Sequence, residues 1–133
     1  MTLFSLLLSL VFVRSSIAGY VLEDDYTPSN FFDMFAFWTE ADPTNGFVDY
    51  VDRPTAQSSG LIGTTASTVY IGTDHENVTP DGRPSIRLTS NKAYNVGSLI
   101  IVDIEHMPGG ICGTWPAFWV RILSRSITNE SPC

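Results

Sequence analysis

A chain of 133 residues holds one domain at most, because two independent cores would not fit. Apolar residues at 44% and charged residues at 16% exclude a mostly disordered chain, and 7 Lys and Arg against 14 Asp and Glu, a net charge of −7, argue against a nucleic-acid binder that works by phosphate neutralisation. No apolar run reaches the roughly 18–20 residues of a membrane-spanning helix. Aromatic residues at 12%, eight prolines and ten glycines with few Lys or Glu point to an all-β chain rich in turns.

Residues 3–13 are apolar apart from Ser5 and Ser9, and Ser16-Ile17-Ala18 follows with small residues where a signal peptidase reads. This predicts a signal peptide over 1–18 and a secreted product. Its removal takes away Arg14 alone, leaving a mature charge of −8. Tyr20-Val21-Leu22 then opens the chain, interrupted by Glu23-Asp24-Asp25 and Pro28-Ser29-Asn30. Residues 31–38 are aromatic-rich, with Phe35 and Phe37 on one face at period two. Asp42-Pro43-Thr44-Asn45-Gly46 reads as a turn, since Pro presets φ and Asn-Gly tolerates positive φ. Residues 47–51, 68–73 and 85–89 read as half-buried strands, with Pro80-Asp81-Gly82 as a further turn. The nearly continuous apolar run 99–104 predicts a strand covered on both faces. Such spacing implies a sandwich or barrel.

Eight of the fourteen carboxylates lie between Glu23 and Asp52, a distribution that solvated loops explain better than a cation site. Cys112 and Cys133 are the two cysteines; a bridge between them would close a loop of about twenty residues and contribute roughly 3 kcal/mol on the loop-entropy model. Asn77-Val78-Thr79 and Asn129-Glu130-Ser131 are glycosylation acceptor sequences, each followed by a proline that should lower its use. Two sulfurs without a His or Cys cluster make no metal site.

The segment 103–119 carries the most chemistry. Gly109, Gly110 and Gly113 let the backbone bend and approach a ligand. Trp115 and Trp119 supply flat apolar faces for the C–H face of a sugar ring, although paired tryptophans are more often core than platform.

Glu-His-Met-Pro-Gly-Gly over 105–110 and Gly-Thr-Trp-Pro-Ala-Phe-Trp over 113–119 closely resemble the fungal laminarinase branch of glycoside hydrolase family 16. The resemblance continues upstream through 20–24, Phe31-Phe32-Asp33, Asp42-Pro43-Thr44, 46–51 and Ser85-Ile86-Arg87-Leu88, covering about residues 20–119. It implies part of a secreted jelly-roll (concanavalin-like) β-sandwich of antiparallel sheets, with the C-terminal half missing. The concave face of such a sandwich takes β-1,3 or mixed β-1,3/1,4 glucan. By position, Trp119 resembles a cleft tryptophan and Arg87 a cleft arginine that hydrogen-bonds sugar hydroxyls, with Trp115 in the same motif. A strand-face ion pair is an equally good reading of Arg87. The implied partner is a β-glucan polysaccharide, with no nucleic acid, no membrane and a monomer when folded. No cofactor is implied, and a structural calcium is left open.

Retaining glycosidases need two carboxyl groups about 5–5.5 Å apart. In this family a Glu-x-Asp-x-x-Glu strand, or a variant one residue shorter, supplies both. Neither form occurs in the 133 residues, so no catalytic residue is assigned. The nucleophile is expected about a dozen residues beyond Trp119, near Ser131, where Glu130 stands without partners. Residues 120–133 lack glycine and aromatics, and Val120-Arg121 is encodable by GTAAGA, which resembles a fungal splice donor. The expected organisation is therefore a signal peptide 1–18, the N-terminal part of a family 16 domain 19–119, and an atypical tail 120–133 from intron read-through or truncation. Two functions follow: an endo-β-glucanase fragment inactive as written, or a non-catalytic glucan-binding or wall-associated sandwich.

Overall fold

The computed structural model describes residues 19–120. The expected signal segment 1–18 and most of the tail therefore lie outside the described residues. The chain divides into two units, Met1–Ser98 and Leu99–Cys133.

In the first unit a 3-10 turn, Phe31–Asp33, leads into β1, Phe35–Phe37. Alternation works here as the sequence suggests: Ala36 faces solvent while Phe35 and Phe37 are half-buried. Their cover comes from the preceding segment. Tyr26 meets Phe35 edge-on at 5.3 Å, Phe31 lies 4.8 Å from Phe35, and Phe32 lies 6.2 Å from Phe37, all between ring centroids. Strand β2, Val48–Tyr50, repeats the alternation with Asp49 outward.

Helix α1, Arg53–Ser58, follows, an element that the all-β expectation passes over. Asp52 caps it by accepting from the Thr55 N–H at 2.9 Å, and Pro54 occupies the first turn, where its missing N–H costs nothing. The helix buries Ala56 completely against Phe32, Leu61 and Ile62. Phe37, Val51, Val69, Ile86 and Leu88 pack around these four, and this is the core.

Strands β3, Ile62–Thr64, and β4, Val69–Ile71, form an antiparallel hairpin. Its turn contains no Gly, Pro or Asn. Instead the Thr65 hydroxyl accepts from the Ser67 and Thr68 N–H groups. Strands β5, Arg83–Ser85, and β6, Leu88–Ser90, end the unit. The strand expected over 85–89 is thus broken at Ile86-Arg87. β5 pairs with β2 and β6 pairs with β1, so the chain changes sheets there.

Two expectations are corrected. The β1–β6 and β3–β4 pairs are antiparallel, but β2–β5 is parallel, with Tyr50 opposite Ser85. The helix and hairpin between β2 and β5 give the long crossover that parallel pairing requires. The run 99–104 in the second unit forms no strand among the described residues. Among the described residues no backbone pairs with it, and Leu99, Ile100, Ile101, Val102 and Ile104 are all exposed, Ile101 by 83%. Hydrophobicity marks a segment that can be buried; a strand also needs a hydrogen-bonding partner.

A polar network ties residues 23–26 to the segment after β6. Lys92 Nζ contacts Asp24 Oδ2 at 2.6 Å and Glu23 Oε1 at 2.7 Å. The Tyr94 hydroxyl donates to Asp24 Oδ2 at 3.0 Å and lies 2.6 Å from the Tyr26 hydroxyl, which must therefore be the donor between the two.

Candidate functional site

The turn before β2 builds a rigid carboxylate. Asp42 Oδ1 accepts from the Thr44 N–H, while Oδ2 accepts from the Thr44 hydroxyl at 2.6 Å and the Gly46 N–H at 2.8 Å. Asn45 takes φ of 56°, as Asn-Gly suggests. Gly46 serves another purpose: a Cβ there would lie 2.6 Å from Asp42 Oδ2. The Thr44 hydroxyl, then the Gly46 and Thr44 N–H groups, and finally the Arg87 charge hold the Asp42 carboxyl below the usual carboxylate range, against the opposing effect of burial.

Arg87 reaches this carboxylate because of the change of sheets. The Arg87 carbonyl accepts from the Trp38 N–H at 2.9 Å, just past the end of β1. Ile86 packs against the core, so Arg87, one residue on, projects the other way. Its Nη1 stands 3.6 Å from Asp42 Oδ1. Its guanidinium carbon lies 5.0 Å from the Trp38 ring centroid and 5.7 Å from that of Tyr50. Trp38 comes from the end of β1 and Tyr50 from β2, so both partners of the broken strand contribute a ring. Trp38 is oriented by its own Nε1–H, which donates to the Glu40 carbonyl at 2.9 Å.

The arrangement offers planar charged donors beside aromatic faces, the pair of features that recognises a sugar's hydroxyls and C–H surface together. The two sequence readings of Arg87 are compatible in it, since the ion pair with Asp42 also fixes the guanidinium. In the sequence the signal for Trp38 is only the aromatic run 31–38, and that for Asp42 only a turn.

Trp115 and Trp119 belong to the second unit, in irregular backbone, and are 82% and 58% exposed. Both rings therefore present surface rather than filling a core. The preceding turn is organised by Thr114, whose hydroxyl donates to the Ile111 carbonyl at 2.7 Å and lies 3.2 Å from that of Gly109. Gly113 adopts φ of 86°, which a side chain would strain, whereas Gly109 and Gly110 do not take positive φ. Cys112 is exposed, and its suggested partner Cys133 lies outside the described residues. None of the four described glutamates, Glu23, Glu40, Glu76 and Glu105, lies in a strand. A cavity of about 180 Å³ near α1, lined by Pro28, Phe32, Arg53, Gln57 and Ile62 among others, shares no residue with the Arg87 cluster.

The family model of the XgeA-like, catalytic GH16 domain matches residues 35–127, and the chain belongs to that family. Among curated proteins it is 51% identical over 114 residues to an endo-1,3(4)-beta-glucanase of Arthroderma benhamiae, covering 85% of this chain and 25% of that protein. It is 49% identical over 111 residues to the endo-1,3(4)-beta-glucanase xgeA of Emericella nidulans, covering 80% and 18%. The chain thus spans about a quarter or less of the length of these relatives. Among solved structures it is similar to an elongating GH family 16 beta-1,3-glucosyltransferase, at 42% identity and TM-score 0.55 over 58% of this chain and 27% of that one. It is also similar to Laminarinase 16A from Phanerochaete chrysosporium with beta-glucans in its donor and acceptor sites, at 38% identity and TM-score 0.52 over 55% and 26%.

Proposed function

We propose that this chain is part of a secreted glycoside hydrolase that cleaves β-1,3 or mixed β-1,3/1,4 glucan with retention of configuration. Its residues form one portion of a jelly-roll sandwich and contribute to the glucan cleft. Arg87 donates hydrogen bonds to sugar hydroxyls, held in place by Asp42 and flanked by Trp38 and Tyr50, while Trp119 and Trp115 offer stacking surfaces. The observation that carries this reading is the Arg87 cluster, an arginine fixed between a carboxylate and two aromatic rings, on a chain that belongs to a glycoside hydrolase family. The named activities of the relatives, endo-1,3(4)-beta-glucanases, supply the substrate class.

One observation favours a second reading. The 133 residues contain no Glu-x-Asp-x-x-Glu or its shorter variant, the pattern that supplies both catalytic carboxyl groups in the family. A non-catalytic, glucan-binding or wall-associated protein fits that fact. Sequencing the transcript beyond codon 119 separates the two. A product in which Trp119 is followed within about a dozen residues by Glu-x-Asp-x-x-Glu supports the hydrolase, and its anomeric products, followed by NMR on laminarin, should retain configuration. Inverted products would refute the mechanism. A chain that binds laminarin but has no such transcript supports the binding protein.

A further inference from the structure

Asn77-Val78-Thr79 is an acceptor sequence that the cleft does not use. It lies in the turn between β4 and β5. Asp74 Oδ1 accepts from the Glu76 N–H at 3.0 Å and from the Asn77 N–H and Nδ2 at 3.2 Å each. The turn is anchored to β5, because Arg83 Nη1 donates to the Asp74 carbonyl at 2.7 Å and the Asp74 N–H donates to the Pro84 carbonyl at 2.9 Å. Asn77 is exposed and Val78 is 94% exposed, so the amide stands on an open surface.

Thr79 adds an independent observation. Its Oγ1 is buried and has no hydrogen-bond partner among the described residues. An unpartnered buried hydroxyl opposes folding, and a valine of the same shape would suit the site at least as well. What this hydroxyl supplies is the third position of the acceptor sequence, which must be Ser or Thr.

We propose that Asn77 is an N-glycosylation site. The Asn77 Nδ2 attacks the anomeric carbon of a lipid-diphosphate-linked oligosaccharide. A C–N bond forms, the C–O bond to the diphosphate breaks, the lipid diphosphate departs and one amide proton passes to solvent. The second Nδ2–H remains and can keep its bond to Asp74. Pro80 lowers occupancy without changing the site. This proposal rests on the secretion proposed above, because the donor is met only by chains that enter the secretory lumen.

The test is translation of the full chain with microsomes. Asn129→Gln is included to remove the other acceptor, and the chain is carried either by its own residues 1–18 or by a foreign signal peptide. Modification acts on the nascent chain, so a failure to fold does not obscure it. With the foreign signal the expected result is an endoglycosidase-sensitive shift of one glycan, lost in Asn77→Gln and Thr79→Val, kept in Thr79→Ser and increased in Pro80→Ala. No shift with the foreign signal, or a shift that survives Asn77→Gln, overturns the proposal. A glycan at Asn77 with the foreign signal but none with residues 1–18 upholds the site and removes the secretion reading. In unfolding experiments Thr79→Val should be no less stable than the parent; a clear loss of stability would overturn the argument that the hydroxyl does not serve the fold.

Discussion

Replacing Arg87 separates its structural role from the part in sugar binding proposed for it. Its guanidinium lies 5.0 and 5.7 Å from two aromatic centroids, and each such contact contributes about 0.5–1 kcal/mol at a partly exposed position. Arg87→Ala should therefore destabilise the first unit by about 1–2 kcal/mol from the rings alone, read from urea unfolding by tryptophan fluorescence. Lys is no equivalent, since it lacks the planar fork and stacks less well; Arg87→Lys should recover only part of the loss. A charged hydrogen bond to a ligand is worth about 1.5–3 kcal/mol, so loss of one to a sugar hydroxyl should weaken laminarin binding roughly 10- to 100-fold. Affinity electrophoresis in laminarin gels, in conditions where parent and variant are both folded, measures that second effect without the first. A variant that loses the expected stability and keeps its laminarin affinity would show that Arg87 serves only the ion pair and the rings, and would remove it from the cleft.

Trp119→Ala should weaken laminarin binding by about 1–3 kcal/mol, the usual scale for loss of an aromatic anchor, and unchanged retardation in the same gels would exclude the ring. Purified 133-residue chain should release no reducing sugar from laminarin, because its sequence contains neither Glu-x-Asp-x-x-Glu nor the variant one residue shorter; sustained release would refute that. The Lys92 hydrogen bond, then that of Tyr94, holds the Asp24 carboxyl below its ordinary range. That share of stability is present above about pH 4 and is lost as pH falls through the lower folded value. Lys92 is raised by its bonds to Asp24 and then Glu23, so its share holds at neutral pH and is lost only as alkaline pH passes the raised value. Lys92→Met should flatten the decline in urea midpoint below pH 4 relative to the parent, and parallel declines would show that the pair contributes nothing. Ala56 is fully buried against Phe32, Leu61 and Ile62, so Ala56→Leu should overpack the core and cost about 1–3 kcal/mol, while an unchanged urea midpoint would place the core elsewhere.

Local chemistry made some of the fold legible. The Asp42–Gly46 turn was readable because each residue's backbone preference agrees with its place, and Asn45 takes the positive φ expected of Asn-Gly. Phe35, Ala36 and Phe37 were readable because period-two alternation survives even in a three-residue strand. Helix α1 was passed over, although Asp52 and Pro54 form a recognisable start; at six residues it is too short to show an apolar period. The β3–β4 turn was hidden because a threonine hydroxyl does what Gly or Asn usually does. The run 99–104 has the composition of a buried strand, but composition carries no information about a pairing partner, and the described residues offer it none. Around Arg87, which the sequence singles out, Trp38, Tyr50 and Asp42 carry no sequence signal that assigns them to its surroundings. They are 49, 37 and 45 residues from Arg87 along the chain, and only the strand pairings bring them together.

Those pairings explain why one arginine can meet three such distant residues. β5 follows β2 in parallel and β6 runs against β1, with only Ile86 and Arg87 between them. So short a link leaves little freedom. The Val51 N–H holds the Ser85 carbonyl on one side and the Trp38 N–H holds the Arg87 carbonyl on the other. Between these anchors Ile86 packs on the core, and alternation turns Arg87 outward between the ends of β1 and β2. Tyr50 is then supplied by the strand being left and Trp38 by the strand being joined. Asp42 lies in the connection between β1 and β2, where Gly46 gives the carboxylate room to accept its turn hydrogen bonds. The position of the guanidinium is thus set by the same contacts that hold the two sheets to the core, so a short irregular step between strands fixes a charged donor before any ligand arrives.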